Sequence, residues 1–197
     1  VLVIGGPTAV GKSQLALDIA KQIQAPIVSA DAMTIYKGLN IGTAKPCVNE
    51  LEQVQHFCVD IRAYNEPYTV GDFVDDVYDV LSQFEHVVIA GGTPYYLNAL
   101  FRPLAPLPES QPDVRASLEL LSDPHTALKQ IDPVSAKRLH PNDKMRIIRA
   151  LEVFEITGRP LSEVQLDPPK RPPLQAKVLW MDRENLRPRI GMRIEQM

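Results

Sequence analysis

No apolar run in the 197 residues approaches the length of a membrane span, and the opening Val1-Leu2-Val3-Ile4 is too short, and lacks the basic flank, to act as a signal peptide. A cytoplasmic protein with no membrane partner is the expectation. Cysteine is scarce. Cys47 and Cys58 lie ten intervening residues apart, which is neither a paired-cysteine metal spacing nor a disulfide framework, so both are expected to be reduced and packed. Four scattered histidines, His56 and His140 among them, make no ligand cluster, and a transition-metal site is not expected. An excess of basic residues is missing too. The net charge of −3 argues against a protein that coats nucleic acid non-specifically, because such binding draws mainly on neutralised phosphates. Any nucleic-acid contact must be local.

What is present suits a globular α/β protein. With 45% hydrophobic and 23% charged residues, the chain can bury a real core. Val1 to Ile4 is a short apolar run ended by Gly5-Gly6, a buried strand entering a glycine turn. A helix pattern follows from Lys12 to Ile23, with Leu15, Ile19 and Ile23 as its expected sheet-facing stripe. Pro26 to Asp31, Phe57 to Asp60 and His86 to Ala90 read as further strands. Val70 to Leu81 reads as a helix with Phe73, Val77, Val80 and Leu81 on one face. Strands alternating with helices imply a mostly parallel sheet, and ligands of such sheets sit at the carboxyl ends of the strands. Gly6, Asp31 and Thr93 each follow an apolar strand and are expected near one crevice.

After Phe101, Pro103, Pro106, Pro108 and Pro112 interrupt the pattern, and Val114 to Leu121 and Thr126 to Leu139 look helical. Asn142 or Asp143 can cap a longer helix in which Ile147, Leu151 and Phe154 share a face, with Gly158 and Pro160 as its stop signal. Lys177 to Met181 reads as a late strand. The expected organisation is a core over residues 1–108, a small helical insertion over 109–141, and a return to the core over 142–197.

Gly6-Pro7-Thr8-Ala9-Val10-Gly11-Lys12-Ser13 matches the Walker A pattern, and it follows a strand and opens a helix as that motif requires. Backbone amides and the helix amino end can surround a polyphosphate, Lys12 supplies a point charge, and the Ser13 hydroxyl is placed to join the shell of a Mg²⁺ ion bridging phosphate oxygens. The fold expected is therefore a P-loop NTPase-like parallel sheet flanked by helices. Such a loop reads charge and geometry, not the group attached beyond the phosphates.

Asp31 has three readings from the residues alone: a carboxylate holding magnesium through water, a base taking a proton from an attacking nucleophile, or a turn residue. A hydrolase would usually carry a strand ending in Asp beside the phosphates. The best later strand here ends in Gly91-Gly92-Thr93, which offers amides and a hydroxyl without charge, and so favours stabilising a leaving pyrophosphate over positioning water. Between Lys137 and Arg159, six basic residues face Asp143, Glu152 and Glu155, a local surplus of three positive charges.

Several stretches occurring in order resemble the tRNA dimethylallyltransferase family. They are GPTAVGKS, the run Ser29-Ala30-Asp31-Ala32-Met33-Thr34-Ile35-Tyr36-Lys37-Gly38-Leu39-Asn40-Ile41-Gly42-Thr43-Ala44-Lys45-Pro46, the turn Gly91-Gly92-Thr93-Pro94-Tyr95-Tyr96, and the segment from His140-Pro141-Asn142-Asp143 through Arg146, Arg149, Ala150, Leu151 and Glu152. The resemblance implies transfer of a dimethylallyl group from its pyrophosphate to the exocyclic amine of the adenosine just 3′ of a tRNA anticodon. By that resemblance Gly6 to Ser13 would hold pyrophosphate and magnesium, and Asp31 would be the general base. Thr93 would help fix the reacting groups. Asp31, Ala32, Met33, Thr34, Thr93, Arg115, Met145, Arg146, Ile147, Ile148 and Arg149 would face tRNA. A monomer is expected. Family members continue beyond the position of Met197 with further tRNA- and phosphate-contacting residues, so the chain is expected to lack part of that apparatus.

Competing expectations are an adenylate isopentenyltransferase, which would use the same cradle on a free nucleotide, a small-molecule P-loop kinase, and a nucleotide-binding module without activity. Arg115 and the basic helix favour tRNA, since a mononucleotide needs no extended surface.

Overall fold

The computed structural model describes residues 1–195, and they divide into two compact units, Val1–Arg102 with the chain from Pro173 onward, and Pro103–Pro172. The first unit carries β1 (Leu2–Gly5), α1 (Lys12–Ile23), β2 (Ile27–Ser29), α2 (Val48–Gln53), β3 (His56–Phe57), α3 (Val70–Gln83), β4 (Val88–Ala90) and α4 (Pro94–Phe101). The second carries α5 (Pro112–Glu119), α6 (Pro124–Ile131), α7 (Pro133–Arg138), α8 (Lys144–Thr157) and α9 (Leu161–Val164). The chain then re-enters the first unit as β5 (Lys177–Trp180) and α10 (Leu186–Glu195).

The sheet is parallel throughout, in the order β3-β2-β4-β1-β5. Its inner strands β2, β4 and β1 are apolar because both faces are covered, whereas the edge strand β5 is exposed along its length. Alternation sends Val3, Val28 and Ile89 to the face carrying Phe73, Val77 and Val80 of α3 and Leu97 and Leu100 of α4, while Ile4, Ile27 and Val88 pack with Ala16, Leu17 and Ala20 of α1. Thr69 caps α3 by accepting from the Asp72 amide, and Asp72 returns the bond to the Thr69 amide.

Three local readings change. On α1 the buried stripe is Ala16, Leu17 and Ala20. Leu15 and Ile19 are partly covered and Ile23 is 41% exposed, because small alanines let the helix approach the strands more closely than a leucine–isoleucine stripe could. The strand expected over 57–60 stops at Phe57, since Cys58 (φ 59°) and Asp60 (φ 54°) adopt a backbone no strand continues through. The segment after Thr93, read as a turn, becomes α4, opened by Pro94, whose missing amide costs nothing at that position.

In the second unit the helix expected over 126–139 is broken at Asp132-Pro133. The proline ring has no N–H to continue the ladder, and the Asp132 carboxylate caps α7 by accepting from the Ser135 amide while also accepting from the Ser162 amide and hydroxyl. Asp143 caps α8, and Gly158 (φ 69°) ends it. Ile147, Ile148, Ala150, Leu151 and Val153 of α8 form one apolar cluster with Leu118 of α5, Leu128 of α6 and Leu161 and Val164 of α9. The boundary expected at residue 142 therefore moves: residues 142–172 pack with the helical unit because α8 is its central helix, and only the chain from Pro173 rejoins the sheet. Among the described residues, no helix is long and apolar enough to cross a membrane.

Candidate active site

The order β2-β4-β1 brings three adjacent carboxyl ends together, and the chain leaving each of them carries Asp31, Gly91 to Thr93, and the loop Gly6 to Ser13. The loop bends through positive φ at Gly6 (146°), Ala9 (64°) and Gly11 (110°). At Gly6 the constraint is double, since a Cβ there would lie 2.3 Å from the Met181 carbonyl oxygen. Val10 is buried and pins the loop, Pro7 is partly covered, Thr8 is exposed, and Gly11 caps α1 through its backbone alone. The first-turn amides of α1, which have no intrahelical acceptors, are thus left at the loop.

Lys12 Nζ donates to the carbonyls of Gly6 (2.8 Å) and Pro7 (2.7 Å). Burial and then the nearby Arg193 charge push its pKa down, against the Asp31 carboxylate, which pulls it up. The end of β4 lies against the same lysine, because a Cβ on Gly92 would stand 3.5 Å from Nζ. Gly91 is tighter still: a Cβ there would meet the Ala30 carbonyl oxygen at 2.1 Å.

Asp31 is half-buried at the end of β2, and its Oδ1 accepts from the Met33 amide at 2.9 Å. The turn is held on both sides. Thr93 donates its amide to the Ala30 carbonyl (3.2 Å) and accepts from the Ala32 amide at its hydroxyl (3.0 Å), while the buried Thr34 hydroxyl bonds to the Ser29 hydroxyl (2.9 Å) and the Asp31 carbonyl (3.2 Å). Thr93 and Thr34 thus brace the turn that presents Asp31.

A cavity of about 530 Å³ opens over these strand ends. Thr8, Ala9, Gly11, Lys12 and Ser13 line one wall, and Asp31, Thr34, Gly91 and Gly92 line the next. Thr43 to Pro46, Glu50 and His56 form a third side. Arg189, Met192 and Arg193 of α10 complete it, and Arg189 Nε donates to the Ala9 carbonyl at 2.9 Å. Sequence reasoning missed both arginines. Their signal was a four-residue spacing on one helix face, which means something only once β5 is known to pair with β1, beside the loop.

No group of three or more His, Cys, Asp or Glu side chains that could hold a metal occurs among the described residues. The exposed Ser13 hydroxyl and the Asp31 carboxylate on the same cavity fit an ion completed by phosphate oxygens and water, as magnesium prefers, and not a protein cage.

The residues expected to face tRNA divide. Met33 is 49% exposed at the Asp31 turn. In the helical unit Met145 is exposed, Arg146 pairs with Asp143, and Arg115 pairs with Glu119 at 3.5 Å. Ile147 and Ile148, however, lie in the core of that unit and present no side-chain surface. Arg149 spends its guanidinium internally, on Glu152 (2.6 Å) and the Pro108 carbonyl. The local charge surplus also shrinks, from three to one, when the window extends to Glu163 and Asp167, and Asp167 binds Arg159 at 2.8 and 2.9 Å.

The tRNA dimethylallyltransferase of Hydrogenovibrio crunogenus is 39% identical over 210 residues, covering all of this chain and 65% of the relative. That of Halorhodospira halophila is 46% identical over 178 residues, covering 85% of the chain and 57% of the relative. The chain thus spans somewhat under two thirds of these relatives. Among solved structures, a eukaryotic dimethylallyltransferase acting on tRNA superposes with a TM-score of 0.79 at 27% identity, covering 100% of this chain and 53% of its own. The full-length tRNA isopentenylpyrophosphate transferase of Bacillus halodurans superposes with a TM-score of 0.58 at 32% identity, covering 99% and 64%. The family model described as IPP transferase matches residues 34–197, most of the chain, and the protein belongs to that family.

Proposed function

We propose that the protein transfers a dimethylallyl group from dimethylallyl pyrophosphate to the 6-amino group of the adenosine 3′ of the anticodon in tRNA, working as a cytoplasmic monomer. One observation carries the reading: Lys12, in a phosphate-binding loop, and the Asp31 carboxylate line the same cavity. The reaction needs these two functions within reach of each other. The allylic carbon–oxygen bond breaks as the adenosine nitrogen bonds to that carbon, pyrophosphate leaves with the electron pair, and the amine proton passes to Asp31.

The loop amides and Lys12 are preorganised for the charge that grows on the leaving pyrophosphate, where each such donor is worth about 10²- to 10³-fold in rate. Arg189 and Arg193 add positive charge to the same cavity. Magnesium held at Ser13 would supply further neutralisation of the phosphate oxygens. An aromatic amine releases its proton readily once it begins to bond to carbon, so a modest carboxylate base suffices. Thr93 holds the Asp31 turn through the Ala32 amide and so fixes where that base stands. The exposed Met33, with Met145, Arg146 and Arg115 of the helical unit, offers tRNA contacts, and the target base leaves its stack to reach the cavity.

The test is incubation of the full-length protein with dimethylallyl pyrophosphate, magnesium and either unmodified tRNA or AMP, with products identified by mass. Prenyl mass on an anticodon stem-loop and none on AMP is expected. Prenyl mass on AMP moves the assignment to a free nucleotide, and ATP turnover without prenyl transfer moves it to a kinase.

A further inference from the structure

Lys45 stands on the cavity wall, and a lysine on the wall of a phosphate site invites assignment as a second phosphate ligand. Its bonding argues otherwise. Nζ donates to the Tyr36 carbonyl (2.5 Å), to Asp60 Oδ1 (2.6 Å) and to Asn40 Oδ1 (3.1 Å). An ammonium has three N–H donors and all three are occupied, whereas Lys12 makes two such bonds. The Lys45 side chain is also only 6% exposed.

Those acceptors belong to backbone segments that converge on the Asp31 turn. Asp60 sits at φ 54°, a conformation its side chain and context must hold, and its amide donates to the Thr34 carbonyl at 3.0 Å. The neighbouring amides of Ile61 and Arg62 both donate to the Ile35 carbonyl, and the Lys37 amide donates to the Arg62 carbonyl. Residues 34–37 are thereby laid along residues 60–62, and Lys45 closes the ladder by gripping one acceptor from each side, Tyr36 and Asp60. The charge of Asp60 is balanced within the same contact.

We propose that Lys45, with Asp60 as its partner, is a positioning residue that acts through the 31–34 turn to hold the Asp31 carboxylate in register with the phosphate loop. The proposal rests on the reading of Asp31 as the base. It assigns to Lys45 an effect on the rate of transfer and none on capture of the pyrophosphate.

The test uses Lys45→Met, Lys45→Arg, Asp60→Asn and Asp31→Ala, alone and combined, in the full-length protein. Lys45→Met is expected to lower kcat for prenyl transfer about ten- to a hundredfold, the loss typical of misplacing a catalytic group by about an ångström, while the Kd for dimethylallyl pyrophosphate stays within about twofold. Lys45→Arg should recover part of the loss, because a guanidinium can still reach Asp60. In the Asp31→Ala background Lys45→Met should cost almost nothing further, since the group it positions is gone; a merely structural lysine would add its full penalty there. Amide exchange gives a readout independent of activity: the segment 31–34 should exchange faster in Lys45→Met and in Asp60→Asn, with the segment 6–13 unchanged. The proposal is overturned if Lys45→Met weakens pyrophosphate binding as Lys12→Met does, if its effect is undiminished in Asp31→Ala, or if exchange at 31–34 stays at wild-type rates. Absence of any prenyl transfer by the wild type would instead overturn the functional reading, and the exchange measurement would still decide whether Lys45 orders the turn.

Discussion

Replacing Asp31 with Asn separates its two contributions, because the amide oxygen keeps an acceptor for the Met33 amide, 2.9 Å away in the wild type, while the side chain loses its ability to take a proton. A positioned general base contributes about 10²- to 10⁴-fold, or roughly 3–5 kcal/mol of barrier. Asp31→Asn should therefore lower single-turnover prenyl transfer by at least about a hundredfold with the turn intact. Asp31→Ala removes the acceptor too and should cost about 1 kcal/mol of stability beyond the Asn variant, the net value of one half-buried hydrogen bond. The sign of the effect on binding is opposite to that on rate. The Asp31 carboxylate raises the Lys12 pKa and so shares its field, and it also repels an anion in the cavity. Removing its charge should leave pyrophosphate affinity unchanged or slightly improved. The assay is single-turnover transfer followed by mass, with calorimetric titration of dimethylallyl pyrophosphate on the same variants. Turnover by Asp31→Asn within about threefold of wild type, far inside the range for a lost base, would refute the assignment. So would a loss of affinity that tracks the loss of rate.

Other consequences are open to direct measurement. Gly6→Ala forces a Cβ to within 2.3 Å of the Met181 carbonyl oxygen at φ 146°, so it should destabilise the first unit by more than the roughly 1–3 kcal/mol of backbone strain alone and weaken pyrophosphate binding, as read by thermal melts with and without ligand. Glu152 is fully buried and accepts from Ser110 (2.6 Å), the Gln111 amide (2.8 Å) and Arg149 (2.6 Å); Glu152→Ala should cost about 3 kcal/mol in urea unfolding, near the lower bound for breaking a buried pair because Arg149 is 27% exposed and can rehydrate. Burial pushes the Glu152 pKa up, but the bonds from Ser110 and Arg149 win and hold it below the ordinary glutamate value. Its stabilisation is therefore complete above that ordinary value and lost as pH falls through the lowered one, so urea midpoints should be flat near neutrality and fall in acid, less steeply in Glu152→Gln. Thiol reagents applied to the native protein should label the exposed Cys47 and spare Cys58, which is buried and whose thiol burial pushes up to about 12; peptide mapping decides it.

Legibility from sequence followed the distance over which each feature is specified. The phosphate loop is local: Gly6 to Ser13, the strand before it and the helix after it are contiguous, so spacing alone places Lys12 and Ser13. That Gly6, Asp31 and Thr93 leave adjacent strand ends was also within reach, because strands alternating with helices imply parallel order and parallel order gathers carboxyl ends, although of the three only Asp31 lines the cavity itself. Rotation of a helix about its axis is different in kind. Leu15, Ile19 and Ile23 satisfy helical periodicity as well as Ala16, Leu17 and Ala20 do, and only the closeness of α1 to the sheet decides between them. The basic face of α8 misled for a related reason, since Arg149 is recruited inward by a glutamate three residues away that composition counts only as a charge.

The arginines of α10 are the least accessible feature, and they follow from a single topological fact. Arg189 bonds to Ala9 across 180 positions of sequence, and no local pattern encodes that meeting. It exists because β5 pairs with β1 in register, Gly5 opposite Trp180, so that the chain leaving β5 emerges beside the loop leaving β1. The same neighbour sets the loop's tolerance: Met181, next after β5, donates its amide to the Gly5 carbonyl and stands against Gly6. The returning strand therefore both shapes the phosphate loop and delivers positive charge to it. Deleting the chain from Pro173 onward should accordingly abolish pyrophosphate binding even though every residue of the Walker pattern remains, and retention of wild-type affinity by residues 1–172 would show that the loop needs no such support.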